Sequence, residues 1–103
     1  MVDEAMKAQS AVPEEITIFD RIVSKQIPAT VIFEDDTVMA FRDINPVAPV
    51  HFLVIPKNRD GLARLIQAED RHAALLGHMM VVAAKVAKKE GLDEGYRLVI
   101  NDG

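Results

Sequence analysis

Apolar residues first take on a period between Thr17 and Pro28, where Ile18, Phe19, Ile22 and Val23 share one helical face. Thr17, with Asp20 three residues later, forms a capping-box pattern, Asp standing in for the commoner Glu. Pro28 ends the segment, because a residue before proline avoids helical geometry. The pattern predicts a short helix that persists only if it packs on something else. Residues 30–34 and 37–42 are rich in β-branched and aromatic side chains, with Asp35 and Asp36 between them as turn chemistry. They predict a hairpin. Residues 43–49 carry Pro46 and Pro49, each lacking a ladder donor, and predict a stiff loop. Residues 50–55 are apolar at every position but His51, which predicts a strand buried on both faces.

The longest periodic stretch is residues 68–90. Leu75, Leu76, Met79, Val82, Ala83 and Val86 fall at helical spacing. Glu69 and Asp70 lie near one end and Lys85, Lys88 and Lys89 near the other, the distribution a helix dipole favours. Gly91 is placed to be the left-handed stop. A polar turn over residues 57–61 and a single helical turn over residues 62–66 precede it. Residues 96–101 alternate, with Tyr96, Leu98 and Ile100 opposite Arg97, Val99 and Asn101, and predict a last strand. Asp102-Gly103 is a hairpin-turn dipeptide, so a further strand is expected to follow it. Residues 1–15 show no period and are expected to form a mobile arm, leaving residues 16–103 as the domain. The whole reads as an α+β fold: an antiparallel sheet with one short and one long helix.

Composition narrows the function classes. The chain has 103 residues, 12 basic and 16 acidic, for a net charge of −4. That size allows one domain with a modest core. Mild acidity gives no support to nucleic-acid binding, which favours a basic face. Cysteine is absent, which removes thiol nucleophiles, disulfides and Cys-based zinc sites. The longest apolar-rich run, residues 75–84, is interrupted by His78 and is too short for a membrane span. No apolar signal core opens the chain. A soluble protein of the cytoplasm, with the nucleus also open, is expected.

Few residues point to chemistry on their own. Asp43, between a strand and the proline loop, can cap its own turn or accept two hydrogen bonds from a vicinal diol. His51 can make a structural hydrogen bond, act as a base, ligate a metal or orient a neighbour. His72 and His78 are six residues apart, not the four that align two ligands, and are expected at the surface or an edge. Phe19, Ile27 and Phe41 can line an apolar slot or simply be core. Asn101 can orient a phosphate or shape the turn. No glycine-rich phosphate loop, nucleophile elbow or His-Glu metal helix occurs.

Read in order, several blocks resemble a known family. They are residues 17–22, 27–29 and 32–36; Phe41-Arg42-Asp43-Ile44-Asn45-Pro46; residues 48–57, which include His51 and Pro56; and residues 75–79 and 95–101. Their order and spacing are similar to the Hint branch of the histidine-triad (HIT) superfamily. The resemblance implies a purine-nucleotide-binding homodimer. It also implies hydrolysis of nucleoside phosphoramidates, in which the middle histidine of a His-x-His-x-His cluster attacks the α-phosphorus and water releases the nucleotide. It assigns Asp43 to the ribose and Ile44 beside it. It assigns Phe19, Ile22, Ile27 and Phe41 to the purine slot and Asn101 to the vicinity of the phosphate. His51 takes a supporting position linked to zinc, although no cofactor is required. Arg42 replaces a frequent His and is expected to bring a cation near the slot.

The triad itself is expected beyond Gly103, because none of the three histidines has another two residues away. On that expectation the domain is C-terminally incomplete and these residues are inactive. A phosphoramidase and a non-catalytic nucleotide-binding or scaffold module both stay open.

Overall fold

The computed structural model describes residues 17–102, so the expected arm over residues 1–15 lies outside the described residues. Helix α1 (Ile18–Val23) is followed by strands β1 (Val31–Glu34), β2 (Val38–Arg42) and β3 (Phe52–Pro56). Two 3-10 turns, Leu65–Gln67 and Asp70–His72, lead into helix α2 (Ala73–Lys89). The strands form one antiparallel sheet in the order β1-β2-β3. Among the described residues no helix is long and apolar enough to cross a membrane.

Local chemistry accounts for most of these elements. Thr17 caps α1: its hydroxyl accepts from the Phe19 and Asp20 amides, and its own amide donates to Asp20 Oδ2 at 2.7 Å. Asp35 shapes the hairpin turn, its Oδ1 accepting from the Thr37 and Val38 amides at 2.8 Å each. Gly91, at φ +80°, closes α2. Its amide donates to the Lys88 carbonyl and that of Leu92 to Ala87, the paired bonds of a Schellman stop.

β2 is the central strand, and its period-2 alternation divides the core in two. Val38 and Ala40 turn toward α2 and meet Val82 and Val86, with Ile32, Phe33, Phe52, Val54, Leu75 and Met79 around them. Met39 and Phe41 turn the other way and meet Ile22, with Phe19, Ile27, Ala29, Leu53 and Ile55 around them. The sheet is therefore covered by α2 on one face and by α1 with its following loop on the other.

Four expectations are corrected. Residues 50–55 were expected to be a fully buried strand, but β3 starts at Phe52 and is half-buried throughout. It is the edge strand of the described ladder, paired on one side by β2 alone, and Pro56 is tolerated there. α2 starts at Ala73 rather than at residue 68, because Glu69 is extended (φ −126°) and the chain tightens into a 3-10 turn first. Residues 96–101 form no ladder with any described strand, and all six are exposed. Alternation encodes two faces but not the partner a strand needs. His72, expected at the surface or an edge, is 1% exposed.

Candidate functional site

The face opposite α2 gathers the four residues expected to line a purine slot. Ile22 and Phe41 are buried there, and Phe19 and Ile27 pack half-buried around them. The Phe19 and Phe41 rings lie 6.5 Å apart, tilted by 42°, a favourable aromatic arrangement. Strand alternation places Phe41 here, and the capped start of α1 brings Phe19 and Ile22 over it.

Asp43 follows β2 directly. Its amide donates to the His51 carbonyl at 3.0 Å, extending the β2–β3 pairing beyond the regular ladder. Its carboxylate is half-buried. Oδ1 accepts from the Asn45 amide at 2.8 Å, and Oδ2 lies 3.3 Å from His51 Nε2. The turn-capping and ligand-binding readings of Asp43 are thus compatible, since the cap occupies one oxygen from one side. His51 Nδ1 accepts from the Val47 amide at 3.1 Å. Ile44, 89% exposed, stands on the loop beside this carboxylate. Asn101 is exposed, and no hydrogen bond joins it to Asp43 or His51 among the described residues. Its neighbour Asp102 is bonded instead to Arg64 and to the Ile66 amide.

Arg42 does not bring a cation to the slot. It alternates to the α2 face and pairs with Glu90 at 2.7 Å, tying the end of β2 to the end of α2. The other two histidines also lie away from the slot. His72 Nδ1 accepts from the Glu69 amide at 3.0 Å, and its Nε2 is 2.9 Å from the Asp60 carbonyl, so both ring nitrogens are engaged. Arg71 reaches the same carbonyl and pairs with the Asp60 carboxylate. Together they clamp the turn at Asp60, which has a left-handed backbone (φ +51°), onto the start of α2. Sequence offered no signal for this clamp beyond the proximity of Arg71 and His72 to a predicted helix start.

His78 Nε2 is 2.7 Å from Asp35 Oδ2. The Val38 amide, then His78 and the Thr37 amide, hold the Asp35 carboxyl well below the usual carboxylate range. Glu34 is also lowered, by Lys57 and Lys25. A shallow concavity of about 400 Å³ lies beside His78, lined also by Thr37, Arg71, Ala74 and Leu75. Its donor side chains already face carboxylates: Arg71 those of Asp60 and Glu69, His78 that of Asp35. It is therefore a poor match for an anion, and the slot with Asp43 is the better candidate.

Comparison with known proteins identifies relatives of the chain. A profile described as "HIT domain" matches residues 24–103. The chain is 58% identical over 104 residues to "Adenylylsulfatase HINT1" of Arabidopsis thaliana, covering 100% of this chain and 71% of that protein. It is 54% identical over 103 residues to a "14 kDa zinc-binding protein" of Zea mays, covering 100% and 80%. The crystal structure of a HIT family hydrolase from Legionella pneumophila Philadelphia 1 superposes with a TM-score of 0.80 at 44% identity, covering 85% of this chain and 78% of that one.

The zinc in the second relative's name has no complete counterpart here. Asp43 and His51 offer two donors, and no group of three or more His, Asp or Glu that could hold a metal occurs among the described residues. Two donors, with His51 Nδ1 already accepting from the Val47 amide, do not fit a zinc site by themselves.

Proposed function

The chain belongs to the HIT domain family, and from that premise we propose that it binds purine nucleotides and orients them for hydrolysis at the α-phosphorus. The base lies against Phe19, Ile22, Ile27 and Phe41. The ribose hydroxyls donate to Asp43, Ile44 flanks the sugar, and Asn101 attends the phosphate side. The observation that carries this reading is the juxtaposition of one apolar cluster with one half-buried carboxylate at the end of β2. Such a pairing suits a flat apolar ring joined to a diol. The name of the Arabidopsis relative, an adenylylsulfatase, supports an adenylyl group joined to a leaving group as the substrate class. Nucleoside phosphoramidates, with an amine leaving group, belong to the same class.

The described residues supply binding and orientation rather than the nucleophile. His72 is buried with both nitrogens engaged, His78 lies on the α2 side beside Asp35, and His51 takes the Val47 amide on Nδ1 with Nε2 3.3 Å from Asp43. None belongs to a His-x-His-x-His run. Attack by a histidine on the α-phosphorus, with expulsion of the amine or sulfate and release by water, is the chemistry the family's triad supplies. A homodimer is part of the same reading. Met80 and Val81 on α2 and Tyr96, Leu98, Val99 and Ile100 beyond it are about half exposed, an apolar surface suited to a second copy.

Calorimetric titration with adenosine and guanosine monophosphates tests the binding, and a fluorogenic adenosine phosphoramidate tests turnover. The 103-residue chain is expected to bind both nucleotides weakly, to lose that binding in Asp43→Ala, and to turn over nothing. Full retention of binding in Asp43→Ala refutes the placement of the ribose. Turnover by this chain refutes the division of labour, because it puts the nucleophile among His51, His72 and His78. Sedimentation as a monomer at high concentration refutes the dimer.

A further inference from the structure

We infer that Arg59 is a positioning residue for the purine slot: through Asp20 it holds α1, and with it Phe19 and Ile22, over Phe41. α1 has 6 residues, too few to keep its place by its own hydrogen bonds. Its buried residue is Ile22, while Phe19 is half-buried. The fastening of its N-terminal end to the sheet therefore decides where the Phe19 ring lies. Asp20 supplies that fastening. Its Oδ2 accepts from the Thr17 amide at 2.7 Å and from the Thr17 hydroxyl at 3.2 Å, which closes the cap. The same oxygen accepts from Arg59 Nη2 at 3.1 Å, a hydrogen-bonded ion pair that spans 39 positions of sequence.

Arg59 stands on the turn that follows β3, and local bonds set that turn. The Leu62 amide donates to the Arg59 carbonyl at 2.8 Å, and the Asp60 amide donates to Asn58 Oδ1 at 2.9 Å. The side chains of Arg59 and Asp20 are 16% and 31% exposed. Just past the other end of α1, Lys25 pairs with Glu34, but that lysine is 59% exposed. Solvent screens the lysine pair more, so the arginine pair is the one able to set position. Phe19 directly precedes Asp20, so a tilt of α1 about Ile22 moves the Phe19 ring against that of Phe41. Arg59 thus preorganises the slot through Asp20 rather than acting on the ligand. The inference rests on the purine reading of this slot.

The test compares adenosine monophosphate with ribose 5-phosphate, which lacks the base. Affinities for both are measured in wild type, Arg59→Lys, Arg59→Met, Asp20→Ala and the Arg59→Met/Asp20→Ala double variant. Both ligands carry the same phosphate, so the loss of a cation by itself weakens both alike and cancels in their ratio. Methionine keeps an apolar stem and removes the donors, and lysine keeps a cation for Asp20. Wild type is expected to prefer the nucleotide, and Arg59→Lys to keep most of that preference. Arg59→Met is expected to lose about fivefold of it. Asp20→Ala, which removes the link from the other side, is expected to lose at least as much, with no further loss in the double variant.

A nuclear Overhauser contact between the Phe19 and Phe41 rings is expected to weaken in Arg59→Met, while those among Val38, Val82 and Val86 stay as they are. A general loss of stability would not separate the two sets. If wild type prefers the nucleotide and Arg59→Met prefers it as strongly, the positioning role falls and the purine reading stands. A further fivefold loss in the double variant relative to Asp20→Ala shows that Arg59 does not act through Asp20, and also overturns the role. If wild type binds both ligands equally, the purine reading falls and the inference with it.

Discussion

The two faces of the sheet are built from the same kinds of residue and are covered by helices of different length. On the α2 face a 17-residue helix seals Val38, Ala40, Val82 and Val86, each at most 2% exposed. On the α1 face a 6-residue helix and its following loop leave Phe19, Ile27, Leu53 and Ile55 half-buried around Ile22, Met39 and Phe41. The first face is a core. It keeps a half-buried apolar rim of Ile32, Phe33, Phe52, Val54, Leu75 and Met79; the second face, under the shorter helix, is the one that continues into Asp43. A short helix, marginal by itself, leaves an apolar surface accessible at its rim, where a ligand can complete the packing. The two covers differ in length rather than in hydrophobicity, and the shorter one lies over the proposed slot.

The largest effect is expected from placing a charge in the sealed face. Val82→Asp buries an unpaired carboxylate and is expected to remove more than about 4 kcal/mol, enough to leave the chain unfolded by circular dichroism. A folded Val82→Asp with wild-type melting would show that α2 does not seal that face.

His72→Ala comes next. It deletes a buried ring and leaves the Glu69 amide without that acceptor, at a cost of about 3 kcal/mol in urea unfolding. Nucleotide affinity in the folded fraction is expected to stay unchanged, because the clamp at Asp60 lies outside the slot. Loss of affinity without loss of stability would contradict the separation of the two faces.

Phe19→Ala reverses the proportions. Its ring is half-buried, so stability falls by only about 1–2 kcal/mol, while purine affinity drops by about tenfold or more. Equal affinity of wild type and Phe19→Ala would show that the base does not use this wall.

The smallest effect concerns Asp35→Asn, at the rim of the α2 face. The folded-state carboxyl is depressed below its ordinary value of 3.8, so its ionised form favours the native state at neutral pH. That contribution is full above the ordinary value and is lost as the pH falls below it. The deficit in melting temperature of Asp35→Asn is therefore expected to shrink below about pH 4. A deficit constant down to pH 2.5 would show that the native state does not favour the ionised carboxyl.

Much of this molecule was determined by sequence alone, because the deciding interactions are local. Thr17 and Asp20 cap α1 within four residues, Asp35 bonds amides two and three positions away, and Gly91 supplies the one left-handed residue its stop requires. The alternation of β2 was likewise enough to put Phe41 and Val38 on opposite faces, and resemblance was enough to name the family. Tertiary structure decided what depends on contacts distant in sequence. It buried His72 against the Asp60 turn and drew Arg42 away from the slot to Glu90. It left residues 96–101 without a partner strand among those described and closed His51 onto Asp43 across the proline loop. Charge and periodicity specify a side chain's tendencies, but its partner is set by where the packed elements bring the chain back, which no local pattern encodes.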